Sequence, residues 1–336
     1  MPRPRTHRGT GVAVHTLEAG AAHCAPADGL AGLLSPLTEQ EFLRDRLGTE
    51  PVVIRGREGR FRGLFGWSRL NELLASTRTD ASRIHLVRSA DGVPLASCAE
   101  PVPQLSPRGR PSRLRPERLY ETLHAGSTLA IDGVEELHAP LRALVTAVEG
   151  SLRSLVQANL YVNLGGAPQG FHTHWDDHDV LVLQAEGAKH WDIHPPTEEH
   201  PVGVLSDPPP PAVGAATWSG DLTEGDVLYL PRGWWHTVRA VEGRPSLHLT
   251  LGTRLPSAGD LLRRLLVHLA RSHPLVRQDL PRFAAADRAQ DWYAALREVL
   301  VTAAREPGLL EELAERAGGG APHRPQFTLP DTAGTR

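Results

Sequence analysis

HTHWDDHDVLVLQAEGAKHW, residues 172–191, combines two kinds of signal in one run. Four imidazoles and several carboxylates surround DVLVLQAE, a short apolar segment of strand length, and the run ends around Lys189. Of the 36 Lys and Arg residues in the chain, Lys189 is the single lysine. Exchanging lysine for arginine costs little on a solvated surface, whereas the two side chains differ at a compact anion site. A lone lysine among histidines therefore marks this segment as a candidate site.

Outward from the quoted run, the hydrophobic period is two. VQANLYVNL, DVLVLQAE, KHWDIH, GDVLYL, HTVRAV and LHLTLGT read as short strands separated by Gly and Pro signals, with a turn at Gly187 between the second and third. So many closely spaced strands indicate an antiparallel barrel or a double-sheet jelly roll. The proline-rich stretch 195–220 reads as a long loop across the barrel mouth.

The flanks are helical or mixed. Residues 1–34 read as a flexible tail without periodicity. LTEQEFLRDRLG carries a Thr38/Glu41 capping box, PVVIRG and RIHLVR read as strands, and WSRLNELLAS reads as a helix capped by Ser68. Residues 135–155 give one long amphipathic helix or two, with Pro140 near a start. After Arg254 the apolar spacing returns to three and four. The expected organisation is a tail at 1–34, an α/β portion at 35–154, a barrel at 155–255, a helical module at 256–318 and a tail at 319–336. The fold class is mainly β with helices, a double-stranded β-helix of α+β character.

Composition narrows the function. The formal charge is −3 and the pI near 6.6, so no global basic field attracts nucleic acid, and the arginine-rich stretch 108–118 reads as a solvated loop. No apolar run is long enough for a membrane span. The basic N-terminus lacks the apolar core of a signal peptide. Cys24 and Cys98 are too few for a disulfide framework or a cysteine zinc site, so a cytoplasmic protein is expected.

GDVLYLPRGWWH, residues 225–236, is the most specific motif. Gly225, Pro231, Gly233 and His236 fit the second cupin motif, in which a strand enters a tight turn that aims the histidine into the barrel. Its partners come from HTHWDDHD, where His172, His174, Asp176 and His178 share one face of an extended chain. His174, Asp176 and His236 make a 2-His-1-carboxylate triad suited to Fe(II) with open positions. His172, His174 and His236 make the three-histidine set of simple cupins, and Gly166 followed by His172-x-His174 is half of the first cupin motif. Spacing alone leaves both open. Lys189 favours the triad, because a 2-oxo diacid chelating that iron leaves a distal carboxylate that needs a cation.

NLYVNLGGAPQGFHTHWDDHDVLVLQAEGAKHWDIHPP, with GDVLYLPRGWWH and SLHLTLGT, resembles the JmjC-type ribosomal oxygenases, cupin-fold hydroxylases that use Fe(II), 2-oxoglutarate and O₂. The matching elements are His174-x-Asp176, Lys189, His236, Asn159-x-Tyr161 and Ser246. The resemblance spans about 155–255 strongly and 35–154 loosely. It implies iron on His174, Asp176 and His236, with no catalytic residue beyond the metal centre. Lys189 would hold the distal carboxylate of 2-oxoglutarate with Asn159 beside it, and Tyr161 and Ser246 would orient the target. The implied reaction is hydroxylation of an arginine or histidine side chain on a ribosomal protein, in a homodimer formed through the helical module. Two departures from the family are the extra histidine at 172 and a C-terminal segment too short for both the helical region and a winged helix. Three other readings remain at this stage: a hydroxylase of a peptide natural-product precursor, a 2-oxoglutarate-independent three-histidine dioxygenase, and a noncatalytic peptide binder.

Overall fold

The computed structural model describes residues 14–18, 23–76, 83–88, 91–101, 112–165, 170–203, 216–318 and 324. Two compact units emerge, Met1–Ser151 with Leu155–Arg254, and Leu152–Ser154 with Leu255–Arg336.

The first unit is organised by one strand, Asp179–His194. Its first half pairs antiparallel with Val227–Leu230 on one side and with Ser246–Thr253 on the other. Its second half leaves that sheet and pairs with Trp218–Thr223 and Trp235–Ala240. One strand thus serves both sheets, which is the geometry of the expected double-stranded β-helix. The expected turn at Gly187 is instead a bulge. The register slips between Gln184 and Glu186, and Gly187 follows at φ 72°. A bulge bends a strand sharply while the ladder continues, so the chain changes sheets without a break.

The apolar period buries what it should. Val180, Val182, Trp191, Ile193, Leu228, Leu230 and Trp234 form one cluster between the sheets. Ser246–Thr253 also pairs with Val156–Asn163, which extends the sheet through Thr128–Ile131 to Ile84–Arg88 and Asp91–Val93. At the other edge Val52–Arg55 pairs with Val227–Leu230.

The stretch 1–34 differs from the expected tail in its described residues. His15–Glu18 adds a parallel strand to Val52–Arg55, and Pro26–Leu34 is helical. Leu30, Leu33 and Leu34 lie at helical spacing and are fully buried, and the buried Arg60 guanidinium donates to the carbonyls of Gly32 and Leu33. That short apolar pattern and its arginine staple order the segment. Residues 1–13 and 19–22 lie outside the described ones.

Other local readings sort in the same way. Thr38 and Glu41 form the capping box. Ser68 is not a cap: the helix begins at Trp67, whose N–H donates to Glu186 Oε1 at 3.0 Å from the strand opposite. Pro140 is the second residue of the helix Ala139–Leu152. The reading of 195–220 as loop ends early, because Trp218–Gly220 joins a strand; 204–215 are outside the described residues. In the arginine-rich stretch Ser112–Leu114 pairs with Ala99–Pro101, and 108–111 are likewise outside.

The second unit holds the helices Ala258–Ser272, Ala286–Arg305 and Leu309–Gly318. Its core is Leu265, Leu269, Ala303, Leu309 and Leu313. No described helix is long and apolar enough to cross a membrane.

Candidate metal centre

Two strands and a turn assemble the site. Gly170–His174 pairs antiparallel with Trp235–Ala240 in a register that sets His174 directly opposite His236. Between Val227–Leu230 and Trp235–Ala240 the chain turns through Pro231, Arg232 and Gly233, with Gly233 at φ 84°. A side chain is strained there, which is why the motif carries glycine. The Gly233 N–H donates to the Asp176 carbonyl at 3.0 Å, so the turn of one motif fastens the carboxylate of the other.

Among the described residues, His174, Asp176 and His236 bring one donor atom each within 4.8 Å of one another. His236 Nε2 lies 3.7 Å from Asp176 Oδ2, and the two imidazole centroids are 4.2 Å apart. Each ring is oriented by its own strand. His174 Nδ1 bonds the His172 carbonyl at 2.8 Å, and His236 Nδ1 bonds the Trp234 carbonyl at 3.1 Å. A carbonyl can only accept, so both Nδ1 atoms carry a proton, and Nε2 is the ring atom left for a metal. Backbone carbonyls fix metal-ligating histidines in this way. Burial holds His236 well below the usual imidazole range, reinforced by His174. It is therefore neutral, as a ligand must be. His172 is exposed and stands outside the group; its contribution there is the carbonyl. Gly166, which completed half of the first cupin motif, lies outside the described residues.

The cluster opens into a cavity of about 140 Å³. Val180, Val182, Trp191 and Val238 make its apolar wall; Asn159, Tyr161, His178, His248 and Thr250 add polar groups. Trp191 stacks on His236 with centroids 5.7 Å apart and meets His248 edge-on at 6.2 Å. His248 in turn stacks on Tyr161 at 5.1 Å. Burial pushes the Tyr161 phenol up to about 12, with Asp176 and Asp132 adding to it, so it remains protonated. Asn159 bonds that phenol and accepts from the Gly133 N–H and from Gln157 Nε2. Two buried ring nitrogens in this wall, Trp191 Nε1 and His248 Nδ1, have no hydrogen-bond partner.

Lys189 is 1 % exposed. No side-chain hydrogen bond or ion pair joins it to another described residue, and burial alone pushes its ammonium down to about 8. It stands beside His248, which burial, and then the charge of Lys189, holds well below the usual imidazole range. Lys189 itself is not in the cavity lining. Ser246 lies away from the cavity as well: it is fully buried and its hydroxyl accepts from Gln184 Nε2 at 2.9 Å.

The remaining candidates have other partners. Asp179 accepts from the Tyr229 hydroxyl and the Arg232 N–H. His190 bonds Asp221 and Asp192. Sequence reasoning missed His248 and Thr250, which sit in SLHLTLGT as ordinary strand residues. Period-two alternation was the available signal, since His248, Thr250 and Gly252 share one face with Ser246.

Residues 137–261 match the JmjC domain model, and the jelly roll described above carries the donor group of His174, Asp176 and His236. The relatives of the chain are oxygenases by name. It is 30 % identical over 240 residues to the "bifunctional lysine-specific demethylase and histidyl-hydroxylase NO66" of Drosophila pseudoobscura pseudoobscura, covering 70 % of this chain and 24 % of that protein. It is 26 % identical over 239 residues to "ribosomal oxygenase 1" of Danio rerio, covering 70 % of this chain and 42 % of the relative. The chain thus spans less than half the length of these relatives. Among solved structures, the ribosomal oxygenase YcfD of Escherichia coli in complex with cobalt and 2-oxoglutarate superposes with a TM-score of 0.55 at 19 % identity. That superposition covers 88 % of this chain and 74 % of YcfD. The resemblance to JmjC-type ribosomal oxygenases read from the sequence is borne out by these comparisons.

Proposed function

We propose that the chain is an Fe(II)- and 2-oxoglutarate-dependent oxygenase that hydroxylates an arginine or histidine side chain of a ribosomal protein. The observation that carries the reading is a buried, unpaired Lys189 beside a cavity whose wall holds a His-Asp-His donor set. A buried ammonium without a counter-charge is costly, and an anionic ligand is the group that would relieve it.

The donor set suits the metal. Two imidazole nitrogens and one carboxylate oxygen form the facial arrangement typical of non-haem Fe(II), with the rings already in the ligand tautomer. When bound, the iron supplies O₂-dependent C–H hydroxylation coupled to decarboxylation of 2-oxoglutarate to succinate. The chain's own residues do the rest. His174, Asp176 and His236 hold the metal, and Lys189 pairs with the distal carboxylate of the diacid. His248 Nδ1 and Trp191 Nε1 are buried polar atoms that a bound oxygen atom would satisfy. Trp191 and the three valines keep water from the reacting atoms. Asn159 and Tyr161, on the same polar wall, orient the target.

The ribosomal target is supported by the names of the relatives, and the barrel spans 155–255 in this reading, with 35–154 packed on it. The helical module at 256–318 is assigned to self-association. Its helix Ala258–Ser272 buries Leu265 and Leu269 in its own core and leaves Leu262, Leu266 and Val267 exposed.

Anaerobic titration of the Fe(II)-loaded protein with 2-oxoglutarate tests the reading. A visible charge-transfer band in the wild type, with saturation weakened in Lys189→Ala, is the expected result. No band in either protein would refute it.

A further inference from the structure

Gly252 occupies the interior of the strand Ser246–Thr253, paired with Val180 on one side and Gln157 on the other. Glycine weakens a strand interior and often marks a close approach. Here the approaching group is His178: a Cβ at 252 would lie 2.9 Å from both Cδ2 and Nε2 of its ring. The imidazole is therefore seated on bare backbone.

Its other side is fixed too. His178 Nδ1 lies 3.3 Å from Asp177 Oδ1, and Asp177 is itself paired with Arg254 at 3.7 Å. The next residue, Asp179, is anchored by Tyr229 and the Arg232 N–H. The carboxylate at Nδ1 fixes the orientation of the ring and leaves Nε2 free of that contact. The ring borders the same cavity as Asn159 and Thr250. His178 is not in the group of mutually close metal donors. A merely solvated histidine would not require the glycine opposite it.

We propose that His178 is a substrate-positioning residue, whose Nε2 hydrogen-bonds a polar atom of the target side chain. The inference rests on the oxygenase reading above and deepens it: it assigns a residue that recognises a polar target side chain, such as arginine or histidine. Gly252 supplies the space and Asp177 the orientation.

The experiment uses full-length wild type, His178→Ala, His178→Gln and Gly252→Ala, each loaded with Fe(II). First, the 2-oxoglutarate band is recorded anaerobically. Then 2-oxoglutarate turnover and peptide oxygen gain by mass spectrometry are measured with ribosomal-protein peptides carrying Arg or His, and with N-acetyl-arginine methylamide and N-acetyl-histidine methylamide. The band persists in all four proteins. KM for the stimulating probe rises by about tenfold or more in His178→Ala and Gly252→Ala, the loss of one good hydrogen bond. The glutamine variant, which keeps a hydrogen-bonding group, recovers part of it. A band lost only from the His178 variants would assign the residue to the metal centre and overturn the inference. Equal response of wild type and His178→Ala to every probe would overturn it as well. A wild type without the band overturns the oxygenase reading itself, and the inference with it.

Discussion

His174 and His236 face each other across paired strands, and each gives its Nδ1 proton to the carbonyl two residues before it, His172 for one and Trp234 for the other. The two Nε2 atoms are thus oriented by backbone, not by neighbouring side chains. Removing a ring or the carboxylate should therefore abolish metal binding without unfolding the barrel. We expect His236→Ala and Asp176→Ala to lose Co(II) or Fe(II) affinity beyond the roughly 10- to 100-fold typical of outer-shell changes. His172→Ala, which keeps the carbonyl, should bind as the wild type does. Metal titration by calorimetry checks both; loss of binding in His172→Ala would revive the three-histidine reading.

Lys189 should weaken the fold that contains it. An unfolded lysine titrates near 10.5 and the buried one near about 8. Below pH 8 both states are protonated and the native state bears the whole penalty, on the order of 3 kcal/mol. Between the two values the unfolded chain holds more protons, so stability rises with pH and the penalty fades. Lys189→Met should raise Tm at pH 7, and its advantage should shrink by pH 10. Thermal melts of the metal-free proteins at both pH values decide it; an unchanged or lower Tm at pH 7 counts against the unpaired charge.

The same lysine gives 2-oxoglutarate binding a pH dependence. Only the ammonium can pair with the distal carboxylate, and in the free protein it is lost as pH rises through about 8. Apparent affinity should therefore be flat below that value and fall by roughly tenfold per further pH unit. Titrations between pH 6.5 and 9.5 measure this. A flat profile would mean that Lys189 does not carry the interaction.

In the helical unit, Ser257 and Asp260 form a reciprocal capping box, and Asp260 is held down to about 2 by bonds from the Ser257 backbone and hydroxyl, then by Arg263. A carboxylate depressed in this way contributes stability above its unfolded value near 3.8 and loses it as pH falls through about 2. Asp260→Ala should cost about 1 kcal/mol at neutral pH, and the difference from wild type should shrink as pH falls through about 2. Denaturant melts at the two pH values check the sign.

Leu262 and Leu266 lie one turn apart on the helix Ala258–Ser272, both more than half exposed. If the module self-associates, Leu262→Glu with Leu266→Glu should lower the mass seen by light scattering, and the 2-oxoglutarate band should persist. Equal masses for variant and wild type would remove that assignment.

Much of this was written in local sequence. Period-two alternation over 156–253 specified strands, and Pro231, Gly233 and His236 specified a turn that aims a histidine inward. The Thr38/Glu41 box and the helical spacing after Arg254 were equally local, because caps and stripes involve residues only a turn apart. The sequence also singled out Lys189, by composition alone. What it could not set was register. His172 and His174 share a strand face, and only pairing with Trp235–Ala240 puts His174, not His172, opposite His236. The bulge at Gln184–Glu186 carries Asp179–His194 from one sheet to the next, where a local reading breaks the chain at Gly187. Ser246 turned to Gln184, while His248, two residues on, borders the cavity with an unpartnered nitrogen. The helix at Pro26–Leu34 depended on Arg60, a residue distant in sequence. Ligand type and strand period are properties of neighbouring residues, and the sequence determined those. Which histidine faces His236, and which polar atom is left without a partner, follows from strands meeting across long stretches of chain, and only the tertiary structure decided it.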